Sequence, residues 1–262
     1  MMTDYLKSLI KILYFTTCYI CFSTVVYSKE LNQIQFLTDE SPPYSFIEGG
    51  KLQGISVDLL TLASEKANSP IRKDMIKLLP WPRAYRTTLN NNNSVIFPTT
   101  KTDERSPLFQ WVGPISNTRI VAIAKRASAI KIDNMDDLKK HNIIVIRDDI
   151  GDHLLIAGGV ADKNIRRATN VDSMIKMLFH GRAKLWVYEE TIARWFLKEN
   201  GLDNHDFETV YVLKESELYY AFNNSIDEKL VKLLQKNIDL LKRTKEENGK
   251  TYYQNILTRY IN

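Results

Sequence analysis

The chain has 262 residues, of which 44% are hydrophobic and 26% are charged, and its formal net charge is +5. This balance is that of an ordinary globular protein, and it excludes a disordered tail, a collagen-like repeat and a polytopic membrane protein. Basic and acidic residues are interspersed, so the sequence offers no basic arm of the kind that binds nucleic acid.

The first 28 residues have the layout of a secretory signal peptide. Lys7 and Lys11 precede an apolar stretch from Ile12 to Val26, and small residues up to Ser28 complete a cleavage site. The stretch is short for a transmembrane helix, which needs about 20 residues, although an uncleaved membrane anchor is the alternative. We therefore predict a signal peptide at 1–28, cleaved after Ser28. Both cysteines lie within it, so the mature chain would contain none.

Beyond this segment, short apolar runs alternate with helical periods. In chain order the pattern predicts a strand at 34–37, a hairpin turn at 48–51, helices at 56–67 and 83–89, strands at 94–97, 109–112 and 120–124, a short helix after 134, a strand at 143–146, a helix at 171–179, a strand at 185–188, a helix at 189–198, strands at 210–213 and 218–222, a long helix to about 245 and a last helix at 251–260. Strands that alternate with helices indicate an α/β fold with mostly parallel sheets.

Three features mark helix ends. The four asparagines at 90–93 predict the end of the second helix, because Asn tolerates the left-handed region. Asn134 is predicted to cap the short helix after it. The run from Ser225 to Glu228 has the pattern of a capping box and is predicted to open the long helix.

The sequence lacks the common catalytic motifs. It has no nucleophile elbow and no dinucleotide-binding fingerprint, and its four histidines have no ligand spacing. We therefore expect no catalytic residue, no cofactor and no metal. The adjacent acids Glu189 and Glu190 are the best candidate carboxylates, and the alternative is that they only complement a helix dipole.

Three segments carry a resemblance to a known family. They are PYSF with GGKLQGISVDLL within 43–60, FPTTKTDER with FQWVGP within 97–114, and GRAKLWVYE at 181–189. In this order and at these separations they resemble the polar amino-acid-binding family of extracellular solute-binding proteins, the type II periplasmic binding proteins that usually serve ABC importers. The resemblance covers nearly all of residues 30–262.

The resemblance implies a fold of two α/β lobes joined by two crossover strands, with the ligand in the cleft between them. Lobe one would comprise 29–116 and 217–262, and lobe two 117–216. It further implies a periplasmic, non-catalytic monomer that binds a small polar solute, an amino acid or similar molecule, and delivers it to the membrane permease of an ABC transporter.

The resemblance also implies the two charged ligand contacts. Arg105 matches the arginine that grips the α-carboxylate of the ligand, and its planar guanidinium fits a carboxylate through two parallel hydrogen bonds. Thr100 matches the position that helps to hold the same ligand. Glu189 matches the acid that pairs with the α-ammonium, where aspartate is commoner. A surface role is the alternative for Arg105.

Other candidates surround the expected cleft. Tyr44, Trp81 and Tyr188 are expected to form walls for the ligand side chain, with a core position as the alternative for each. Arg83, close to Trp81 in the WPRA phrase, is a candidate to face the cleft.

The loop at 147–152 leads into a helix. In relatives, the backbone amides at the start of this helix bind the carboxylate of the ligand. Ile150 stands there in place of a hydroxyl residue, followed by Gly151. Asp148, Asp149 and Asp152 crowd negative charge around this helix start, which favours a cationic ligand or none.

The sequence leaves two rival functions open. The first is a cyclohexadienyl dehydratase-like enzyme on the same fold, acting on a prephenate-like substrate with Glu189 as the general acid. The second is an orphan binding protein that feeds a sensory receptor rather than a transporter.

Overall fold

The computed structural model describes residues 30–179 and 183–260, so the predicted signal peptide lies outside the described residues. Within this part of the chain, no helix has both the length and the apolar character needed to cross a membrane. The strands are β1 Gln35–Thr38, β2 Phe46–Glu48, β3 Lys51–Gln53, β4 Lys77–Leu78, β5 Ser94–Thr100, β6 Phe109–Lys125, β7 Ile143–Ile146, β8 Ile165–Ala168, β9 Leu185–Glu189 and β10 Phe207–Asn223. The α-helices are α1 Ile55–Lys66, α2 Trp81–Asn90, α3 Met135–Leu138, α4 Ile150–Ala157, α5 Val171–Phe179, α6 Glu190–Glu199, α7 Glu228–Arg243 and α8 Tyr252–Tyr260.

Eight strands form one sheet in the order β4-β1-β5-β10-β6-β9-β7-β8, while β2 and β3 form a separate hairpin. At one end β1 pairs in parallel with β4 and β5, and at the other β7 pairs in parallel with β8 and β9. In the centre β10 is antiparallel to β5 and β6, and β6 is antiparallel to β9. The predicted α/β class, with two lobes joined by two crossover strands, is confirmed. The residue boundaries of the lobes stay a prediction.

The crossover strands β6 and β10 are each 17 residues long. The prediction of separate strands at 109–112 and 120–124, and at 210–213 and 218–222, is therefore wrong. Residues 113–119 include Gly, Pro and polar side chains, so the local pattern indicates a break. Antiparallel pairing satisfies the hydrogen bonds of the backbone whatever the side chains are. Pairs such as Ser116 with Leu218 continue the ladder across this stretch.

The helix ends agree with the sequence only in part. Asn134 caps α3, since its side chain accepts hydrogen bonds from the amides of the next turn. The capping box at Ser225 is wrong, because Asp227 is the N-cap of α7 and accepts a hydrogen bond from the Lys229 amide at 2.9 Å. α2 ends in the asparagine run as predicted, but Asn91 has φ −108 and is extended rather than left-handed.

Residues at the strand ends of both lobes, three of them polar, converge on one cavity. In lobe one, Asp39 follows β1 and Thr100 ends β5, while in lobe two Ile146 ends β7 and Glu189 ends β9. All four residues line the same cavity. Ligand sites in α/β proteins lie at such carboxyl ends of strands, so the fold itself places a candidate site here.

Candidate functional site

Two adjoining cavities lie between the lobes. The larger has an empty volume of about 660 Å³ and the smaller about 390 Å³, and they share four wall residues, Asp39, Trp81, Ile146 and Tyr188. Two of these residues come from lobe one and two from lobe two. A molecule held in this space would therefore touch both lobes at once.

Arg105 packs against Trp81, which lines both cavities, but it is not itself a wall residue of either, and only 1% of its surface is exposed. It follows β5 at the start of a short 3₁₀ helix, where its amide donates a hydrogen bond to Thr102 Oγ1 at 3.2 Å. The guanidinium carbon lies 5.0 Å from the ring centroid of Tyr85 and 5.4 Å from that of Trp81. These aromatic faces stabilise its positive charge.

The hydrogen bonds of Arg105 are incomplete. Nη2 donates to the carbonyl oxygen of Asp148 at 3.2 Å. Within residues 30–179 and 183–260, the buried atoms Nε and Nη1 have no hydrogen-bond partner. Buried polar atoms in proteins are nearly always paired, and a charged donor left unpaired carries a large desolvation cost. Within the described part of the chain, Arg105 is therefore a buried cation with two unpaired donor atoms, packed against the cavity residue Trp81.

Glu189 combines a structural role with a place in the cavity wall. It is 5% exposed, and its Oε2 accepts a hydrogen bond from the Ile192 amide at 2.7 Å as the N-cap of α6. Oε1 accepts from Thr118 Oγ1 at 3.2 Å. Burial raises the pKa of Glu189 to about 7. Glu190 faces elsewhere and pairs with Arg119 at 2.7 Å.

Asp39 is a site residue that the sequence did not single out. It is 9% exposed, and its Oδ1 accepts a hydrogen bond from Ser41 Oγ at 2.9 Å. Burial raises its pKa to about 7, and the nearby charge of Asp149 adds to this effect. An acid directly after the first buried strand was the available signal, because strand ends of this kind face ligands.

The acidic loop after β7 contributes one carboxylate to the cavity wall, and arginines pair with the other two. Asp152 pairs with Arg167 at 2.8 Å, and Asp148 pairs with Arg86 at 2.8 Å. Asp149 lines the smaller cavity. Burial raises the pKa of Asp149, and the positive charge of Arg105 partly offsets the increase. All three acids lie around the start of α4, but arginines pair with two of them, and Asp149 is the one that lines a cavity.

The other predicted site residues lie in three places: the cavity wall, the core and the surface. Thr100, Trp81 and Tyr188 line the smaller cavity. Tyr44 is buried in the main hydrophobic core, which is the alternative considered for it, and Arg83 is exposed on α2. The structure does not bring either of these two into the walls of the described cavities.

Ile150 and Gly151 also lie away from the cavity walls. Ile150 belongs to the second hydrophobic cluster, in lobe two. A Cβ on Gly151 would lie 2.9 Å from Val187 Cγ1 and 3.1 Å from Val187 O. The glycine therefore lets α4 approach β9 closely.

This packing predicts that Gly151→Ala lowers the free energy of unfolding by about 1–3 kcal/mol, the usual cost of overpacking. Gly158→Ala is the control, since the added Cβ there meets only the flexible Met135 side chain. Urea unfolding of both variants measures the difference. Equal stability of Gly151→Ala and the parent would show that the contact with Val187 relaxes freely.

The first six residues of α2, Trp81 to Arg86, supply two contacts that the sequence did not indicate. Tyr85 stacks on Trp81, with ring centroids 5.6 Å apart, and also faces Arg105. Arg86 reaches across the cleft to Asp148. Among the described residues, no group of three or more His, Cys, Asp or Glu side chains is arranged to hold a metal ion.

Comparison with known proteins identifies what this architecture resembles. The model of the family described as bacterial extracellular solute-binding proteins, family 3, matches residues 34–256. A search of curated proteins gives no match.

Solved structures share the fold at low sequence identity. The arginine-, lysine-, histidine-binding protein ArtJ from Geobacillus stearothermophilus is 18% identical, with a TM-score of 0.71 over 86% of this chain and 94% of that chain. The arginine-bound form of a truncated ArgBP from T. maritima is 20% identical, with a TM-score of 0.66 over 79% and 96%. A histidine kinase sensor domain is 18% identical, with a TM-score of 0.73 over 88% and 97%.

Proposed function

Because this chain belongs to family 3 of the bacterial extracellular solute-binding proteins, we propose that it captures an amino acid with a cationic side chain between its lobes. The proposal extends to export into the periplasm through the signal peptide at 1–28, action as a monomer, and delivery of the solute to the permease of an ABC transporter. Capture would proceed by closure of the lobes around the ligand.

The observation that carries the proposal is the unsatisfied guanidinium of Arg105. Among the described residues its buried Nε and Nη1 have no hydrogen-bond partner, although the charge of Asp149 lies near enough to interact with it. A ligand carboxylate would supply the missing acceptors and further negative charge. Hydrogen bonds between charged groups of this kind are the strong ones, and a dry cleft strengthens them further.

The acids that line the two cavities support a cationic ligand. Asp39, Asp149 and Glu189 line the smaller cavity, and Asp39 also lines the larger one with Glu40 and Asp172. Among the described residues that line either cavity, none is Lys, Arg or His. This charge distribution suits an α-ammonium together with a second cationic group. Two of the structural neighbours named above are arginine-binding proteins, which agrees with this ligand class.

A thermal-shift screen of the mature protein against the L-amino acids tests the proposal. A ligand at about 100 times its Kd should add about 2.7 kcal/mol to the free energy of unfolding, enough to raise the melting temperature by several degrees. We expect arginine, lysine or ornithine to give the largest shift. The absence of a shift with every amino acid would contradict the proposal.

Glu189→Gln should weaken binding of the ligand found in the screen by about 10-fold to 100-fold, since a neutral amide no longer balances the ammonium charge. Glu190→Gln is the matched control, because Glu190 pairs with Arg119 and does not line either cavity. Calorimetric titration of both variants provides the measurement. Equal losses in both variants would mean that Glu189 does not contact the ligand.

A second candidate function rests on the pKa of about 7 at Glu189. A buried carboxyl near neutrality suits a general acid, as a prephenate-like dehydratase would require. Absorbance assays with prephenate and arogenate test this directly. Turnover that disappears in Glu189→Gln would favour the enzyme, whereas a bound solute returned unchanged would favour the binding protein.

A further inference from the structure

Asp148 is the residue through which lobe two contacts the start of α2 and Arg105 in lobe one. Its carbonyl oxygen accepts hydrogen bonds from Trp81 Nε1 at 3.0 Å and from Arg105 Nη2 at 3.2 Å. Its carboxylate Oδ2 accepts from Arg86 Nε at 3.1 Å and Nη2 at 2.8 Å. One residue of lobe two thus binds three side chains of lobe one.

The backbone of Asp148 is fixed in an unusual conformation. Its φ of +59 lies in the left-handed region, where Asp is tolerated better than most residues other than Gly. The Asp148 amide donates to Asp152 Oδ2 at 3.2 Å, and Arg167 Nε holds both oxygens of Asp152 at 2.8 and 2.9 Å. The lobe-two side of the contact is therefore anchored independently of lobe one.

We propose that Arg86 and Asp148 form an interlobe clasp, and that Arg86 is a positioning residue for the ligand site. Arg86 binds the carboxylate of Asp148 and so keeps its carbonyl oxygen against Trp81 and Arg105. The clasp thereby stabilises the closed arrangement and holds the proposed anchor in place before a ligand arrives. The inference rests on the proposed function only in taking this cleft as the ligand site.

The exposure of the pair sets the strength of the clasp. The side chain of Arg86 is 62% exposed and that of Asp148 is 32% exposed. A pair in contact with water contributes modestly and is weakened by salt, even when two donors share one carboxylate. These properties suit a contact that must break each time the cleft opens.

Distance measurements on the protein without ligand test the clasp. The mature chain has no cysteine, so Glu65→Cys on α1 and Lys163→Cys in lobe two give two spin-labelled positions, both exposed. Pulsed electron paramagnetic resonance then reports the populations of closed and open molecules. In Arg86→Ala, the closed-to-open ratio should fall about threefold to fivefold.

Arg83→Ala is the matched control, because Arg83 is an exposed arginine on the same helix. Its closed-to-open ratio should equal that of the parent. Raising the salt concentration to about 1 M, where the Debye length is about 3 Å, should lower the ratio in the parent but not in Arg86→Ala. A parent that is fully open without ligand, or an unchanged distribution in Arg86→Ala, would overturn the clasp.

A double-mutant cycle separates the pair from general effects on the fold. Asp148→Asn removes the charge while keeping a residue that tolerates the left-handed region. The Arg86→Ala and Asp148→Asn double variant should then match either single variant, and Arg86→Lys should restore part of the ratio. Additive effects would overturn the pairing. Since no ligand is present, failure of the proposed function in the thermal screen leaves this result unaffected.

Discussion

Replacing Arg105 with alanine is expected to weaken binding of the proposed ligand, a basic amino acid, by about 30-fold to several thousand-fold. The ligand carboxylate would then lie in a dry cleft without its counter-charge and without the donors Nε and Nη1, which have no hydrogen-bond partner among residues 30–179 and 183–260. Arg105→Lys should also lose much of the affinity, because an ammonium cannot reproduce the planar fork of a guanidinium.

Calorimetric titration of both variants and of Arg83→Ala, the exposed arginine on α2, provides the measurement. Arg83→Ala should bind as the parent does. Melting temperatures without ligand should be recorded in parallel, since Arg105 packs against Trp81 and Tyr85 and its truncation leaves space there. Affinity of Arg105→Ala within about threefold of the parent would refute the carboxylate anchor.

Affinity for the same ligand is expected to rise steeply with pH. Burial raises the pKa values of Asp39 and Glu189 to about 7. In the free protein below that pH both carboxyls are largely protonated, and each must lose its proton before it can balance a ligand cation. Each such group should therefore increase the affinity by about 100-fold between about pH 5 and about pH 8.

The stability of the unliganded protein should change in the opposite direction. A carboxyl whose pKa is raised in the folded state binds more protons folded than unfolded, so its contribution to stability is full below the unfolded pKa and is lost as the pH rises through the folded pKa. The free energy of unfolding should thus fall from about pH 4 to about pH 7. Asp39→Asn and Glu189→Gln should each remove part of this slope. For the affinity prediction, a ligand affinity that stays constant between about pH 5 and about pH 8 would contradict this account of the cleft.

Local patterns in the sequence predict most of the fold because helical and strand periods depend on neighbouring residues. The strand at Ile143–Ile146 and the helix at Val171–Phe179 appear where the pattern placed them. The crossover strands do not, because the middle of β6 is held by its pairing with β10 rather than by an apolar pattern of its own. Pairing between distant strands leaves little trace in a local window.

The residues of the candidate site are likewise predictable from the sequence only in part. Thr100, Trp81, Tyr188 and Glu189 lie at the cavity because strand ends and one helix start place them there. Asp39 follows a short strand with no distinguishing motif, and the roles of Tyr85 and Arg86 depend on how α2 faces the other lobe. The position of Ile150 at the start of a helix predicts a contact with the ligand, but its apolar side chain packs into the core of lobe two.

Titration of a basic amino acid and of its decarboxylated counterpart tests the central claim most directly. L-arginine and agmatine share the guanidinium and an amine, and they differ in the carboxylate that Arg105 is proposed to bind; lysine with cadaverine and ornithine with putrescine form equivalent pairs. One amino acid should bind one to one with a Kd in the micromolar range or below, and its amine at least about 30-fold more weakly, matching the loss in Arg105→Ala. An amine that binds as tightly as its amino acid, or three pairs that do not bind at all, would contradict the capture of an amino acid in this cleft.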